Sequence, residues 1–307
     1  MPILGTAASQ NTKSFLAPAA PNVFVAVSTG ATTATSSTNG ITWTQRTLPS
    51  SANWRAVTYG GGVFVAVANN TTAATSADGI TWTARTLPAS AVWSSVAYGN
   101  GVFAAVAVDT SIAASSTDGI TWTERTLPSS TSWRSVTYGG GTFVAVSYYT
   151  AAATSTDGIT WTARTLPNES WLSVTYGNGV FVAVAGGYYA SWPAASSTDG
   201  TTWTQRTLPA LTFNPMNAVG WRSVTYGGGV FVTVAYYTTI AASSTDGTTW
   251  TQRTLPSGFW QSVAYGGGVF AAIAFGPSIA ASSTNGITWT QRTLAPSVAW
   301  SALAYGG

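Results

Sequence analysis

The sequence predicts an all-β protein built from seven similar units, and three observations lead to that prediction. The string Thr-Trp-Thr-x-Arg-Thr-Leu recurs seven times in the 307 residues, with its tryptophans 39 to 47 residues apart. Each unit contains four short strand-like runs. The two ends of the chain are complementary fragments of one unit. Repeats of about 40 residues with four antiparallel strands are typical of β-propeller blades.

The four strands of a unit follow one another in a fixed order. In the first complete unit, residues 54–59 alternate between apolar and polar and end at a run of glycines. Residues 63–68 are apolar throughout, which predicts a strand buried on both faces. Residues 71–76 are small and rich in threonine, and residues 80–86 alternate again. The unit therefore predicts four consecutive strands.

A dipeptide between the third and fourth strands sets their direction. It is Asn-Gly or Asp-Gly in every unit, at positions 39, 78, 118, 157, 199, 246 and 285. These dipeptides are the signature of a two-residue type I′ hairpin turn, so the sequence predicts antiparallel strands. A stacked parallel β-helix would not need such turns.

Two sets of tryptophans mark the first and the fourth strand of each unit. We expect the first strands to be innermost in the propeller and the fourth strands to be outermost. The first-strand set is Trp54, Trp93, Trp133, Trp171, Trp221, Trp260 and Trp300, and the fourth-strand set is Trp43, Trp82, Trp122, Trp161, Trp203, Trp250 and Trp289.

The chain termini predict how the propeller closes. The repeat begins at Val23–Val27 with only the second to fourth strands of a unit, and it ends at Trp300–Tyr305 with only a first strand. Pairing these segments would complete a seventh blade and remove two open sheet edges. An open solenoid would instead need polar capping repeats, and none is visible. We therefore predict a tail over residues 1–21 and a closed seven-bladed propeller over residues 22–307.

The composition excludes several classes of function. The chain has no Cys and no His, which removes disulfides, thiol nucleophiles, His-dependent triads and the usual metal ligands. Charged residues make up 6% of the chain and the net charge is +3, too sparse for a nucleic-acid footprint. No apolar run approaches the roughly 20 residues of a membrane span, and the N-terminus lacks the features of a signal peptide. The sequence thus predicts no cofactor, no metal, no nucleic-acid partner and no membrane span.

The turn between the third and fourth strands resembles the Asp-box, or BNR, repeat of sialidase-like propellers. Residues 155–161, Ser-Thr-Asp-Gly-Ile-Thr-Trp, match that pattern with one residue fewer between Asp and Gly, and Asn replaces Asp at Asn39 and Asn285. The resemblance implies a propeller in which this turn is structural. Catalysis in that family uses an arginine triad, a Tyr/Glu pair and an Asp, on the other face.

The charged residues do not reproduce that catalytic set. Arginine recurs at one position of the fourth strand in all seven units, and Arg55, Arg134 and Arg222 follow first-strand tryptophans. Both arginine groups are repeat positions, which favours an architectural role. The acids outside the turn include Glu124, at a variable repeat position, and Glu169. We predict no catalytic residues and no enzymatic activity, because paired-carboxylate glycosidase chemistry has little support here.

Sequence variation between units is concentrated on one face, hereafter the variable face. It carries the second-to-third and fourth-to-first connections, including both insertions, at residues 186–193 and 211–220. Exposed Tyr and Trp suit stacking against sugars or docking of a protein; alternatively, one ring of each Tyr-Tyr pair packs between blades. The candidate ligand-binding residues are Tyr148, Tyr149, Tyr188, Tyr189, Trp192, Tyr236 and Tyr237, with Arg134 and Arg222 beside them for acidic groups.

The N-terminal segment lies outside the repeat. Residues 2–16 resemble the opening segment of some bacteriophage virion proteins, and a disordered terminus is the alternative. The resemblance implies attachment to a virion protein and a location on a virion or another extracellular surface. The sequence as a whole predicts a non-catalytic recognition module for a glycan or cell-surface ligand. The alternative is a purely structural, decorating or protein-docking propeller without glycan binding.

Overall fold

The computed structural model describes residues 20–186, 193–211, 220–276, 278–294, 296 and 298–307. These residues form 24 β-strands joined by turns and loops. Within the described part of the chain there is no helix long and apolar enough to cross a membrane.

The strands form one eight-stranded sheet and four four-stranded sheets. In spatial order the larger sheet contains β24 (Ala299–Gly306), β1 (Val23–Ser37), β2 (Thr44–Gly60), β3 (Val63–Ser76), β4 (Thr83–Gly99), β5 (Val102–Val108), β6 (Thr110–Ser116) and β7 (Thr123–Thr131). The others contain β8 (Trp133–Gly139), β9 (Thr142–Ser147), β10 (Ala151–Ser155) and β11 (Thr162–Thr165); β12 (Trp171–Gly177), β13 (Val180–Ala185), β14 (Pro193–Ser197) and β15 (Thr204–Thr207); β16 (Gly220–Gly227), β17 (Val230–Tyr236), β18 (Thr238–Ser244) and β19 (Thr251–Gly258); and β20 (Trp260–Gly266), β21 (Val269–Ala274), β22 (Ile279–Ser283) and β23 (Thr290–Thr293).

The larger sheet arises because β2 and β4 each combine the fourth strand of one unit with the first strand of the next. The first part of β2 pairs with β1, and its second part, from Trp54, pairs with β3. β1 and β3 each span a predicted second and third strand, with Gly30 or Asn70 at positive φ between them. The equivalent segment of the next unit is divided into β5 and β6 at Asp109, which also has a positive φ. The predicted four-strand order is therefore present whether the second and third strands are continuous, as in β1 and β3, or divided, as in β5 and β6.

The two ends of the repeat pair with each other. β24 lies antiparallel to β1, with Phe24 opposite Tyr305 and Val27 opposite Ala302. The sequence predicted this pairing from the missing strands at either end.

Aromatic rings and glycines join neighbouring units. The first-strand tryptophans are fully buried. Gly139 leaves no room for a side chain, because a Cβ there would lie 2.0 Å from the ring of Tyr176 in the following unit. The same contact recurs between Gly60 and Tyr98, Gly99 and Tyr138, Gly177 and Tyr226, Gly227 and Tyr265, and Gly266 and Tyr305.

The turn between the third and fourth strands differs from the predicted type I′ hairpin. Strand β10 ends at Ser155 and β11 begins at Thr162, so the connection is longer than two residues. Gly158 has a positive φ of 70°, but Asp157 is not among the residues with positive φ, and a type I′ turn requires both. Instead, the Asp157 carboxylate accepts hydrogen bonds from the N–H groups of Ile159 and Thr160. The aspartate thus organises the loop through its side chain.

Paired positive φ angles occur at the other turn, between the first and second strands. Gly61 and Gly62 have φ angles of 55° and 83°, and Asn100 and Gly101 have 49° and 77°. This is the backbone signature of type I′.

Six of the seven fourth-strand arginines donate from Nε to a hydroxyl of the neighbouring third strand, and Arg164 is the exception. Arg46 Nε donates to Ser36 Oγ at 2.8 Å, and Arg125 Nε donates to Ser115 Oγ at 2.8 Å. This bonding within a sheet supports the architectural interpretation of these arginines.

Candidate functional site

A cavity of about 400 Å³ lies where the first strands meet. Most of its lining residues directly follow the first-strand tryptophans, so the first strands face this cavity. Their innermost place in a closed ring stays a prediction. Val57, Val224 and Leu303 supply apolar wall surface. The three arginines Arg55, Arg134 and Arg222 also line the cavity.

Serine hydroxyls join adjacent first strands around this cavity. Ser135 Oγ accepts a hydrogen bond from Val174 N at 3.2 Å, and Ser223 Oγ accepts one from Val263 N at 3.1 Å. Ser301 directly follows its tryptophan, one position earlier in the unit, and its Oγ donates to Trp54 O at 2.7 Å. Their partners are backbone atoms of the neighbouring strand, so these serines fix the shape of the wall.

Each arginine is oriented by a side chain that lies fourteen residues later. Arg55 Nε donates to Asn69 Oδ1 at 2.7 Å. The guanidinium carbon of Arg134 lies 5.2 Å from the ring centroid of Tyr148. The corresponding distance from Arg222 to Tyr236 is 4.7 Å, within the usual range of a cation–π contact.

The other four units carry uncharged residues at the arginine position. They are Ser94, Leu172, Gln261 and Ser301. Leu172 packs against Gly186, where a Cβ would lie 2.5 Å from its Cδ1. The position thus varies together with its contact partner, which separates it from the invariant arginine of the fourth strand.

The arginines form a positive centre without a carboxylate partner among the described residues that line the cavity. Burial lowers the pKa of Arg222, and the nearby charge of Arg134 lowers it further, whereas Tyr236 and Tyr148 act in the opposite direction. Arg55 is more exposed, but partial desolvation and then the charge of Arg134 lower its pKa as well. Arg134 Nε is buried and has no hydrogen-bond partner in the described structure.

Aromatic rings stand beside this centre on the variable face. Tyr148 N donates to Ser132 O at 2.8 Å, and Phe275 N donates to Phe259 O at 2.8 Å. These bonds join the second-to-third connections to the fourth-to-first connections on this face. Tyr149 is 58% exposed and meets Tyr148 edge to face, with ring centroids 5.4 Å apart.

The second aromatic group contains three rings. Tyr237 is 37% exposed, has a positive φ of 65° and lies against Phe259, with centroids 4.5 Å apart. Tyr236 lies 5.9 Å from the same Phe259 ring. In both described Tyr-Tyr pairs, therefore, the first ring contacts an arginine and the second is exposed. Tyr148 and Tyr236 are half-buried, and none of these four rings is fully buried.

The predicted site residues fall into two groups. The described Tyr148, Tyr149, Tyr236 and Tyr237 occupy the variable face, with Arg134 and Arg222 under the first ring of each pair. The predictions for Tyr188, Tyr189 and Trp192 fall outside the described residues, so the continuous aromatic sector they were expected to form stays a prediction. Arg55 was missed as a site residue, although the fourteen-residue spacing to Asn69 could have revealed it.

Glu124 and Glu169 are not among the described residues that line the cavity. Glu124 is exposed on β7, opposite Ala114. Burial raises the pKa of Glu169, which precedes Trp171 in a fourth-to-first connection. Within the described ranges there is no group of three or more acidic side chains placed to hold a metal ion.

Comparisons with known proteins identify the fold class. Residues 5–127 match the family described as the DUF6242 beta propeller domain. No curated protein matches the chain. The chain contains a β-propeller domain.

Several solved structures share this fold at low sequence identity. A streptogramin B lyase structure has a TM-score of 0.68 and 13% identity, over 79% of this chain and 83% of the other. A catalytically inactive His-to-Ala variant of virginiamycin B lyase from Staphylococcus aureus, with quinupristin, has a TM-score of 0.67 and 14% identity, over 80% and 85%. YCF48 bound to D1 peptide has a TM-score of 0.60 and 19% identity, over 80% and 82%.

Proposed function

We propose that this propeller is a non-catalytic recognition module whose variable face binds a carbohydrate on a cell or particle surface. The observation that supports this most is the exposure of Tyr149 and Tyr237 beside cavity-lining arginines. Exposed aromatic rings provide flat apolar faces for sugar rings, and arginines add directional hydrogen bonds. A phage virion or another extracellular surface is the proposed location, from the N-terminal resemblance and the low charge.

The proposal includes the closed arrangement of seven blades. The pairing of β24 with β1 supports closure, as does the contact of Gly306 with Tyr59, whose Cδ2 would lie 2.8 Å from an added Cβ. In such a ring the first strands surround one cavity and present a single variable face. That face is then a compact binding surface.

The absence of enzymatic activity is part of the proposal. The virginiamycin B lyase variant described as catalytically inactive carries alanine in place of one histidine. This chain has no histidine at all. We expect purified protein to release no product from the glycans that it binds. Product release that is abolished by Glu169→Gln would refute this part.

A protein-docking propeller is the second candidate. YCF48, which shares the fold, is a propeller bound to a peptide. The aromatic and arginine groups are also the residue types enriched in protein interfaces. The near-identical sequences of the units equally suit a purely structural role.

A glycan array, followed by titration of the best ligand, tests the proposal. We expect Tyr149→Ala and Tyr237→Ala each to cost about 2 kcal/mol of binding free energy, roughly 30-fold in affinity, because each removes an exposed stacking surface. The melting temperature should change little. Ile159→Ala is the control, because Ile159 is 42% exposed in a turn between the third and fourth strands. Absence of glycan binding, or unfolding of both tyrosine variants, would contradict the proposal.

A further inference from the structure

We infer that Arg55, Arg134 and Arg222 form a binding site in the central cavity for a tetrahedral oxyanion, the phosphate or sulfate group of a surface glycan. The inference rests on the proposed function and names the group that the cavity recognises. It adds Arg55 and the cavity to the aromatic residues of the variable face.

The positions of the arginines around the cavity favour a shared ligand. They belong to alternate units, following Trp54, Trp133 and Trp221, so they reach the cavity from different sides. Arg134 lies within electrostatic range of both Arg55 and Arg222. A group in the cavity between them would meet donors from three directions.

The charge balance of the cavity favours a multiply charged ligand. Three guanidinium groups line it, and the described lining residues include no Asp or Glu. Their mutual repulsion opposes this arrangement, because charges in a cleft with low-dielectric walls are weakly screened. A phosphate monoester carries about 1.5 to 2 negative charges at neutral pH and has three acceptor oxygens, so it offsets the repulsion better than one carboxylate does.

The hydrogen-bonding capacity of the arginines is only partly used. No hydrogen bond in the described structure uses Arg134 Nε, which is buried. Asn69 binds Arg55 through Nε alone, which leaves the terminal nitrogens of that guanidinium for a ligand. Tyr148 and Tyr236 contact the other two guanidinium groups with their rings and not with a carboxylate, so an oxyanion would be the charge partner that these groups lack among the described lining residues.

The size of the site and its rim agree with a sugar that carries the anion. A volume of about 400 Å³ lies within the range of small-molecule pockets. Phe275 lines the cavity and is 39% exposed, which extends an aromatic surface from the interior to the rim. A sugar ring stacked at the rim would place its anionic group near the arginines.

Calorimetric titration with four probes tests the inference: glucose 6-phosphate, glucose, glucuronate and inorganic phosphate. We expect glucose 6-phosphate to bind at least about tenfold more tightly than glucose, because charge-assisted hydrogen bonds are the strong ones. Inorganic phosphate should compete with it, and added salt should weaken both. Glucuronate should bind more weakly than the phosphate ester.

Variants at the three arginines separate the site from general surface charge. Arg55→Gln, Arg134→Gln and Arg222→Gln should each weaken glucose 6-phosphate binding about tenfold or more, because each removes a charged donor. Glutamine already occupies this position at Gln261, so the fold tolerates it. Arg46→Gln is the matched control, since Arg46 has the same charge but binds Ser36 on the outer strands.

The outcomes distinguish the inference from the proposed function. Equal binding of glucose and glucose 6-phosphate, unaffected by the arginine variants, would overturn the anion site while leaving glycan binding intact. Tighter binding of glucuronate would overturn the preference for a tetrahedral group. If no probe binds, the anion site is refuted, and the glycan array decides the proposed function separately.

Discussion

At the residue scale, the Asp or Asn of each third-to-fourth turn acts as a hydrogen-bond acceptor through its side-chain oxygen. The carboxylate of Asp118 accepts from the N–H groups of Thr121 and Ile120, and these bonds hold its pKa below the usual value. Ser116 Oγ donates to the same carboxylate and accepts from Gly119 N. Asn39 makes the corresponding backbone contacts with its side-chain oxygen. The turn therefore needs an acceptor oxygen, and the negative charge of aspartate makes the stability of the turn depend on pH.

We predict that Asp157→Asn changes stability little, whereas Asp157→Ala costs about 1 to 2 kcal/mol because two N–H groups lose their acceptor. The folded-state pKa of Asp157 is lowered, first by the Thr160 N–H and then by that of Ile159. Its stabilising effect is thus complete above the unfolded pKa, near 4, and is lost as the pH falls toward the folded value. Denaturant unfolding at pH 7 and pH 3 measures this. A larger loss for Asn than for Ala would contradict the prediction.

At the element scale, register and packing are set by the glycine that ends each first strand. The Gly139 backbone has no unusual φ, so alanine would be compatible with its conformation. The space is instead filled by the ring of Tyr176 from the following strand of the same kind. The glycine therefore serves the contact between two elements rather than a turn.

We predict that Gly139→Ala destabilises the fold by several kcal/mol, because a Cβ would lie 2.0 Å from the Tyr176 ring. In a Tyr176→Ala background the same substitution should cost much less, since the obstructing ring is gone. A double-mutant cycle from denaturant unfolding measures the coupling. Additive effects of the two substitutions would show that the ring does not cause the loss.

Sequence reasoning predicted the strands that recur in every unit, and it predicted less well the turn geometry and the site residues that depend on individual side-chain contacts. The four strands followed from periodicity, and the pairing of Val23–Val27 with Trp300–Tyr305 followed from the complementary ends of the repeat. The antiparallel order was correct, although it was predicted from a type I′ turn that the structure does not contain at that place. The turn type at Asp157 was wrong, because its carboxylate binds backbone N–H groups in a longer loop. Arg55 was left out because the residue fourteen positions later is Asn69, whereas Arg134 and Arg222 have Tyr148 and Tyr236 there.

At the scale of the whole molecule, the termini determine whether the propeller is a closed ring. β24 contributes Trp300, which is fully buried, and Tyr305, which lies over Gly266. It also pairs with β1 along its length. One terminal strand thus contacts the first unit through hydrogen bonds and the last unit through packing.

We predict that a disulfide between residues 29 and 299 forms readily and stabilises the protein. Thr29 and Ala299 are paired across β1 and β24, and Cα atoms of antiparallel partners are about 4.5 to 5.5 Å apart, within the range that a disulfide spans. The chain has no cysteine of its own, so Thr29→Cys with Ala299→Cys gives a single defined bridge. Because the bridge closes a very long loop, the oxidised form should gain about 2 to 4 kcal/mol over the reduced form in denaturant unfolding. Each single cysteine variant is the control for the substitution itself. Failure of the pair to oxidise, as seen by thiol titration of the folded protein, would show that the ends do not meet and that the ring is open.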